Sequence, residues 1–224
     1  MKKWLMLGAA LMFASPSHST SSVEVLGIEF PPYTTEYKAD GGLAVQKLRQ
    51  HIAMSDMRLS AVILPPNRIG KRLLVGNWCL SFYPPQDPNS SNVRKWVLSD
   101  EEIPLGFYRL RQESEFTWEQ LSDLEGVSVA LLSSYSKQGL NALFRSNKIE
   151  VQEVNSLQQG FDQLIKNRVD YVFADKHSGE FIAEENNVDI QRLQFSTSSL
   201  SIEYFHVWVN LDCQALVDII STHW

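Results

Sequence analysis

Asp175 is the residue whose position in this sequence most clearly suggests ligand chemistry. It ends the segment NSLQQGFDQLIKNRVDYVFAD, in which Leu157, Phe161 and Leu164 recur at helical spacing. The compact β-branched and aromatic run Val169–Ala174 then predicts a strand. A carboxylate at the carboxyl end of a strand in an open α/β sheet faces the crevice where such sheets bind ligands. A solvated loop acid or a cap on the next helix is the alternative interpretation.

A second candidate site lies where hydroxyl groups precede a helix. Ser134, Tyr135 and Ser136 fall between the predicted strand Val127–Leu132 and the predicted helix Lys137–Arg145. Hydroxyls and backbone N–H groups at a helix N-terminus form a site for a carboxylate or another anion. Ordinary N-capping explains the same serines equally well.

Other catalytic and metal-binding patterns do not emerge from the sequence. The five histidines are scattered, and no Ser, His and Asp set forms a recognisable nucleophile motif. Cys79 and Cys213 are too far apart for a zinc motif such as CxxC. The sequence therefore predicts neither a metal nor a cofactor.

The first 19 residues are expected to be a secretory signal peptide. Lys2 and Lys3 form a basic start, Trp4–Ala14 an apolar core and Ser15–Ser22 a small polar end. The apolar run is too short for a stable membrane anchor, and the junction near Thr20 has no cysteine for a lipid. We therefore expect a periplasmic protein that is not lipid-anchored.

Composition describes a globular mature chain of about 205 residues with a substantial core. Hydrophobic residues make up 44% of the whole sequence. Removal of the two leader lysines changes the formal net charge from −6 to −8. This balance disfavours nucleic acid and anionic membrane surfaces as partners.

The two cysteines enter an oxidising compartment after export, where a disulfide can persist. Pairing would close a loop of about 134 residues, which the chain-entropy model associates with about 4 to 5 kcal/mol of stabilisation. Cysteine count and spacing leave a disulfide between Cys79 and Cys213 and two buried thiols equally open.

Strands and helices alternate along the chain, which predicts an α/β fold. The first strand, Val23–Phe30, is stopped by two prolines, and Tyr33 follows in a loop. The segments NRIGKRLLVGNWCLSFY and SLQQGFDQLIKNRVDYVFAD share the order helix, turn, strand. This weak internal likeness suggests two similar α/β lobes, although βα units resemble one another in many folds.

The ordered motifs FPPY, PPNRIGKRLLVGNW, DLEGVSVALLSSYS and LIKNRVDYVFAD resemble those of the bacterial extracellular solute-binding proteins of family 3, the type II periplasmic binding proteins. The resemblance covers Val23–Trp224. It implies two α/β lobes joined by two hinge crossings, with residues 20–104 and 200–224 in lobe 1 and residues 105–199 in lobe 2. Cys79 and Cys213 would then share a lobe, which favours the disulfide.

The resemblance also implies a ligand site. Tyr33 would stack on the ligand, Asp175 would pair with its ammonium group, and Ser134, Tyr135 and Ser136 would hold an anionic group. Arg94 is similar to the arginine that clamps a ligand carboxylate, but Leu98 and Ser99 follow it too closely, so Arg68 and Arg109 are alternatives. Phe82 or Tyr83 would complete an aromatic wall. We expect Tyr33→Ala to weaken binding without affecting folding.

The function implied is capture of a small polar ligand, an amino acid or a related molecule, by closure of the lobes of a monomer. The partner would be an inner-membrane ABC permease, or a membrane receptor if the protein senses its ligand. A third alternative is a dehydratase-like enzyme, with Glu36, Asp40 or Asp175 as general acid. No catalytic motif supports that alternative.

Overall fold

A computed structural model of the chain describes residues 22–52, 57–133 and 139–221. The predicted signal peptide and the predicted anion site Ser134–Ser136 lie outside the described residues. In the described part of the chain, no helix is both long and apolar enough to cross a membrane.

The structure is built on one nine-stranded mixed sheet with helices packed against it. Eight strands follow the order β2-β1-β3-β9-β4-β7-β5-β6, and β8 also pairs with β4. The strands are β1 Ser22–Gly27, β2 Arg58–Ile63, β3 Leu80–Ser81, β4 Val93–Leu110, β5 Ser128–Leu132, β6 Glu150–Val154, β7 Tyr171–Asp175, β8 Leu193–Phe195 and β9 Ser201–Asn210.

The helices fall where apolar residues recur every three or four positions. They are α1 Leu43–Ile52, α2 Pro66–Leu74, α3 Leu140–Ser146, α4 Leu157–Ile165, α5 Lys176–Glu185 and α6 Gln214–Ile220. In α4, Ser156 caps the first turn by accepting the N–H of Gln159, and Leu157, Phe161 and Leu164 are buried.

Two parallel arrangements lie at opposite ends of the sheet. At one end β1 pairs in parallel with β2 and β3, and at the other β5 pairs in parallel with β6 and β7. We use lobe 1 for β1–β3 with α1, α2 and α6, and lobe 2 for β5–β8 with α3–α5. The exact lobe limits at residues 104/105 and 199/200 stay a prediction.

The long strands β4 and β9 run through both lobes and pair with each other in antiparallel fashion. Their register is irregular between Val97 and Glu102. One end of β9 pairs with β3 in lobe 1, while Leu105 on β4 lies opposite Asp175 on β7 in lobe 2. These two strands are therefore the physical connection between the lobes.

Each lobe has its own buried core. One cluster in lobe 1 joins Val25, Leu48 and Leu80 to Val207 and Ile220, residues from both ends of the described chain. Clusters in lobe 2 are rich in phenylalanine, with Phe107, Phe144 and Phe161 almost completely buried. Burial of such side chains stabilises a fold by about 1.5–3 kcal/mol each.

A disulfide joins Cys79 to Cys213, with a Cα–Cα distance of 5.6 Å. Cys79 precedes β3, and Cys213 precedes α6, so the bond fastens α6 to lobe 1. Of the two alternatives left open by the cysteine count, the structure has the disulfide.

Candidate functional site

Asp175 lies at the junction of β7 and α5 and is completely buried. Its Oδ1 accepts the backbone N–H of Ser178 at 2.9 Å, so the carboxylate caps helix α5. The same oxygen accepts the hydroxyl of Tyr33 at 2.6 Å. The second oxygen, Oδ2, is buried and has no hydrogen-bond partner among the described residues. Asp175 is thus both a helix cap and a carboxylate with unused hydrogen-bonding capacity.

Tyr33 reaches Asp175 because the start of α1 holds its loop in place. The N–H groups of Leu43 and Ala44 donate to the carbonyls of Pro32 and Tyr33, each at 2.9 Å. Gly42 makes this approach feasible, since its φ is +96° and a Cβ atom would lie 2.5 Å from the Tyr33 carbonyl oxygen. The Gly-rich turn therefore fixes the position of the tyrosine.

The Tyr33 ring belongs to the core of lobe 1 as well as to the candidate site. Only 7% of its surface is exposed, and it makes an edge contact with Phe205 at 5.4 Å between ring centroids. Tyr33→Ala is therefore expected to destabilise the fold as well as to weaken binding, in contrast to the expectation from the sequence. Truncation of a buried aromatic side chain costs about 3–5 kcal/mol of stability.

Burial and the negative charge of Asp175 both raise the pKa of the Tyr33 hydroxyl above its ordinary value. The Tyr33 hydroxyl therefore stays protonated and donates a hydrogen bond to the Asp175 carboxylate. Hydrogen bonds between a hydroxyl and a carboxylate are shorter and stronger than neutral ones, which agrees with the short distance.

Two further contacts join the loop after β1, in lobe 1, to helix α5, in lobe 2. The Ser178 hydroxyl donates to the Pro31 carbonyl at 2.9 Å. The Lys38 ammonium lies 4.4 Å from the centroid of the Phe181 ring. With the bond from Tyr33 to Asp175, they join the loop after β1 to the first turns of α5, so the structure shows the lobes in contact at this point.

A cavity of about 420 Å³ opens beside this contact. Its lining is dominated by aromatic side chains, and Asp175, Glu203, Lys95 and His206 are its charged or titratable residues. The aromatic residues are Phe30, Tyr33, Phe82, Tyr83, Tyr204, Phe205 and Trp208. We call this cavity the cleft.

The polar groups of β4 and β9 form one side of the cleft. The Lys95 ammonium lies 3.1 Å from a carboxylate oxygen of Glu203. Burial lowers the pKa of His206, and the positive charge of Lys95 lowers it further, although a hydrogen bond to the Tyr204 carbonyl opposes the shift. His206 is therefore predominantly neutral at pH 7.

Three other hollows among the described residues differ from the cleft. One, of about 600 Å³, is lined in part by charged side chains such as Glu36, Lys38 and Arg49. Hollows of about 190 Å³ and 330 Å³ lie beside Arg109 and beside the disulfide. Within residues 22–52, 57–133 and 139–221, no group of three His, Cys, Asp or Glu side chains could hold a metal ion.

Solved structures with similar architecture are numerous, although no family model and no curated protein matches the sequence. The arginine-binding protein ArgBP of T. maritima in its holo form has a TM-score of 0.66 and 19% identity, over 90% of this chain and 88% of that one. The ligand-binding core of GluR0 from Nostoc punctiforme, in complex with L-glutamate, has a TM-score of 0.65 and 15% identity, over 90% and 94%. The VFT2 domain of Bordetella pertussis BvgS, a double mutant, has a TM-score of 0.65 and 14% identity, over 88% and 84%.

The chain has the type II periplasmic binding protein fold. This confirms the fold expected from the ordered motifs.

In this type II fold, the cleft has no arginine among its described lining residues. Arg68 is exposed on α2, and Arg94 is exposed on β4. Arg109 is buried in lobe 2, where its guanidinium donates to the Ser114 carbonyl at 2.7 Å and to the Gln194 side chain at 2.9 Å. The structure thus places none of the three proposed carboxylate clamps in the cleft.

Of the remaining candidates, the aromatic residues line the cleft and two of the acids do not. Tyr83 and Phe82 line the cleft, as expected for an aromatic wall. Glu36 lines the hollow of about 600 Å³. The Asp40 carboxylate accepts hydrogen bonds from the N–H of Gly42 and from the side-chain amide of Gln46. Neither of these two acids is a cleft residue.

The sequence interpretation missed the contribution of β4 and β9 to the cleft. Lys95, Glu203, His206 and Trp208 were not singled out, although all of them line it. The aromatic strand IEYFHVWV was the available signal, because a hinge strand bearing several aromatic rings can cover a ligand.

Proposed function

We propose that this protein is a periplasmic solute-binding protein that captures a small ligand bearing an ammonium group, an amino acid or a related amine. The observation that carries the proposal is Asp175, which lines the cleft and whose buried Oδ2 has no hydrogen-bond partner among the described residues. Two lobes connected by the paired strands β4 and β9 would close over the ligand and expel water.

The energetic argument begins with the cost of an incompletely satisfied carboxylate. A buried polar group without a hydrogen-bond partner costs about 1–3 kcal/mol, and more when it is charged. A ligand ammonium donates hydrogen bonds and neutralises the charge. The aromatic side chains around it would bury the apolar part of the ligand and attract its positive charge.

The similar structures support this class of ligand without defining it. The ArgBP structure from T. maritima is the holo form, and the GluR0 core is in complex with L-glutamate. Both proteins bind a small molecule with the same fold. The sequence identities of 19% and 15% leave the ligand of this chain to be determined by experiment.

We further propose that the bound protein delivers its ligand to an inner-membrane ABC permease and acts as a monomer. A sensing role, in which the liganded form docks on a membrane receptor, is the alternative. Co-purification of the mature protein with detergent-solubilised inner membranes, with and without ligand, separates the two roles. Retention of a permease supports transport, whereas retention of a receptor supports sensing.

A dehydratase-like activity is the weaker alternative. Of the three acids considered for it, only Asp175 lines the cleft, and its Oδ1 already accepts two hydrogen bonds. A ligand recovered chemically unchanged from the protein supports binding, and conversion of that ligand would favour catalysis.

The proposal is tested by thermal-shift measurements on the mature protein against amino acids, amines, polyamines and small carboxylates. A ligand present at 100 times its Kd adds about 2.7 kcal/mol to the free energy of unfolding. For a domain of this size, that corresponds to an increase in Tm of about 5–11 °C. No response to any ammonium-bearing compound would reject the proposal.

The role of Asp175 is tested separately with two variants that preserve helix capping. Asp175→Asn removes the charge and retains an oxygen that can cap α5. Asp189→Asn is the matched control, because Asp189 caps a short helix outside the cleft by accepting the N–H of Gln191. We expect only the first change to weaken binding, by about 2 kcal/mol or more.

A further inference from the structure

The charges in the cleft favour a cation over a zwitterion. Among its described lining residues, Asp175 and Glu203 are acidic, and Lys95 is the one lysine or arginine. The carboxylates therefore outnumber the ammonium groups before any ligand enters. A ligand carboxylate would add a third negative charge to the cleft.

Lys95, the residue that could receive a ligand carboxylate, is already engaged. Its ammonium lies 3.1 Å from Glu203 and 5.8 Å from the centroid of the Trp208 ring. Binding of a ligand carboxylate would compete with Glu203 for the same donor. A planar arginine, which matches a carboxylate with two parallel hydrogen bonds, does not occur among the described lining residues.

The surroundings of Asp175 are suited to an ammonium group. Asp175 is fully buried, its Oδ2 has no hydrogen-bond partner among the described residues, and Tyr33 and Phe30 also line the cleft. A carboxylate oxygen and aromatic faces together attract a desolvated ammonium ion through charge and through the electron density of the rings. The rest of the lining is aromatic or aliphatic and fits an apolar ligand body.

We infer that the cleft selects organic amines that lack an α-carboxylate over the corresponding amino acids. The inference rests on the proposed function, since it specifies the ligand of the same cleft. The ammonium would bind Asp175, and the apolar body would contact Phe82, Tyr83 and the aromatic residues of β9.

Matched pairs of compounds that differ by one carboxylate test this selectivity. Calorimetry of the mature protein would compare phenethylamine with phenylalanine, agmatine with arginine and cadaverine with lysine. In every pair in which either compound binds, we expect the amine to bind about tenfold more tightly or better, which is about 1.4 kcal/mol. Any pair in which the amino acid binds as tightly or more tightly overturns the inference and leaves the proposed function intact. If none of the six compounds binds, the inferred preference is overturned for these ligands, and the proposed function is decided separately by the broader thermal-shift screen.

Substitution of Glu203 provides a second test that does not disturb Asp175. Glu203→Gln removes a negative charge and frees Lys95 to receive a ligand carboxylate. We expect the preference for the amine in each binding pair to decrease by about two- to fivefold, the range for a partly exposed ion pair. An unchanged or larger preference would contradict the role assigned to the pair of Lys95 and Glu203. Glu125→Gln, which affects the exposed ion pair with Lys148 away from the cleft, is the control.

Discussion

The hydrogen bond between Tyr33 and Asp175 connects residues 142 positions apart and two different lobes. Tyr33→Phe removes this bond and leaves the aromatic ring in the core. The Asp175 carboxylate would then retain only the hydrogen bond from the Ser178 N–H among its described contacts. Because the carboxylate is completely buried, water cannot readily replace the lost donor.

The expected magnitude follows from the charge and burial of the acceptor. A hydrogen bond to a charged group contributes about 1.5–3 kcal/mol to the free energy of unfolding. For a domain of this size, the decrease in Tm would be about 3–12 °C. Urea denaturation of the ligand-free mature protein would measure the change, with an unchanged slope m showing that the same surface is exposed on unfolding.

The matched control is Tyr37→Phe, because Tyr37 is 81% exposed and its loss of a hydroxyl should change stability very little. Tyr33→Ala should be worse than Tyr33→Phe, since it also removes a buried ring at a cost of about 3–5 kcal/mol. A loss below about 0.5 kcal/mol for Tyr33→Phe would refute the reasoning, because it would match an ordinary surface substitution.

Three further predictions concern stability. Reduction of the disulfide should lower the free energy of unfolding by about 5 kcal/mol, as measured by urea denaturation with and without reductant; no change would mean that the reduced chain stays equally constrained. Gly179→Ala should destabilise the protein, because the new Cβ atom would lie 2.2 Å from the Tyr108 ring. Gly160→Ala, whose Cβ atom would make only ordinary contacts, should be neutral or stabilising by up to about 1 kcal/mol. Equal melting temperatures for the two variants would contradict this prediction. Burial lowers the pKa of His206 in the folded protein below its ordinary value of 6.5. As the pH falls below about 6.5, His206 is therefore protonated in the unfolded chain before it is protonated in the folded one, and the folded state loses stability. His206→Gln should flatten that part of the stability profile, and an identical profile would exclude His206 as its source.

Local sequence patterns predicted two elements that precede Asp175. The helix of Leu157–Ile165 was expected from apolar residues at helical spacing, and the strand before Asp175 from a compact run of β-branched and aromatic residues. Strand β6, Glu150–Val154, was not predicted. Its sequence EVQEV is largely polar, and it forms a strand through its parallel pairing with β5.

Long-range pairing explains the other differences. The run Ile103–Leu110 is apolar and indicates a strand by itself, whereas β4 begins at Val93 and extends over polar residues that pair with β9. The sequence of Asp189–Phe195 also suggests a strand, but it forms a 3₁₀ turn, Ile190–Arg192, followed by the short strand Leu193–Phe195. Local sequence patterns do not reveal strand-pairing partners that are about 100 residues away in the chain.

The candidate site shows the same limit. Asp175 was identified from the end of its strand, and Tyr33 from the motif FPPY, but neither pattern revealed the hydrogen bond between them. Both interpretations of Asp175 hold in part, since it caps α5 and also lines the cleft. Arg94 was proposed from its resemblance to a family motif, with Arg68 and Arg109 as alternatives, and a motif resemblance does not determine which face of a strand or helix a side chain occupies.

Strand β9 and helix α6, which the disulfide fastens to lobe 1, determine when lobe 1 can finish folding. Strand β3 pairs with Val209, and the core of lobe 1 includes Leu216 and Ile220. Lobe 1 is therefore incomplete until the part of the chain beyond residue 200 is available to fold. Lobe 2, whose helices and parallel strands are contiguous in sequence, can begin to fold earlier, so a newly made chain would remain open to chaperones and proteases until lobe 1 closes around strand β9.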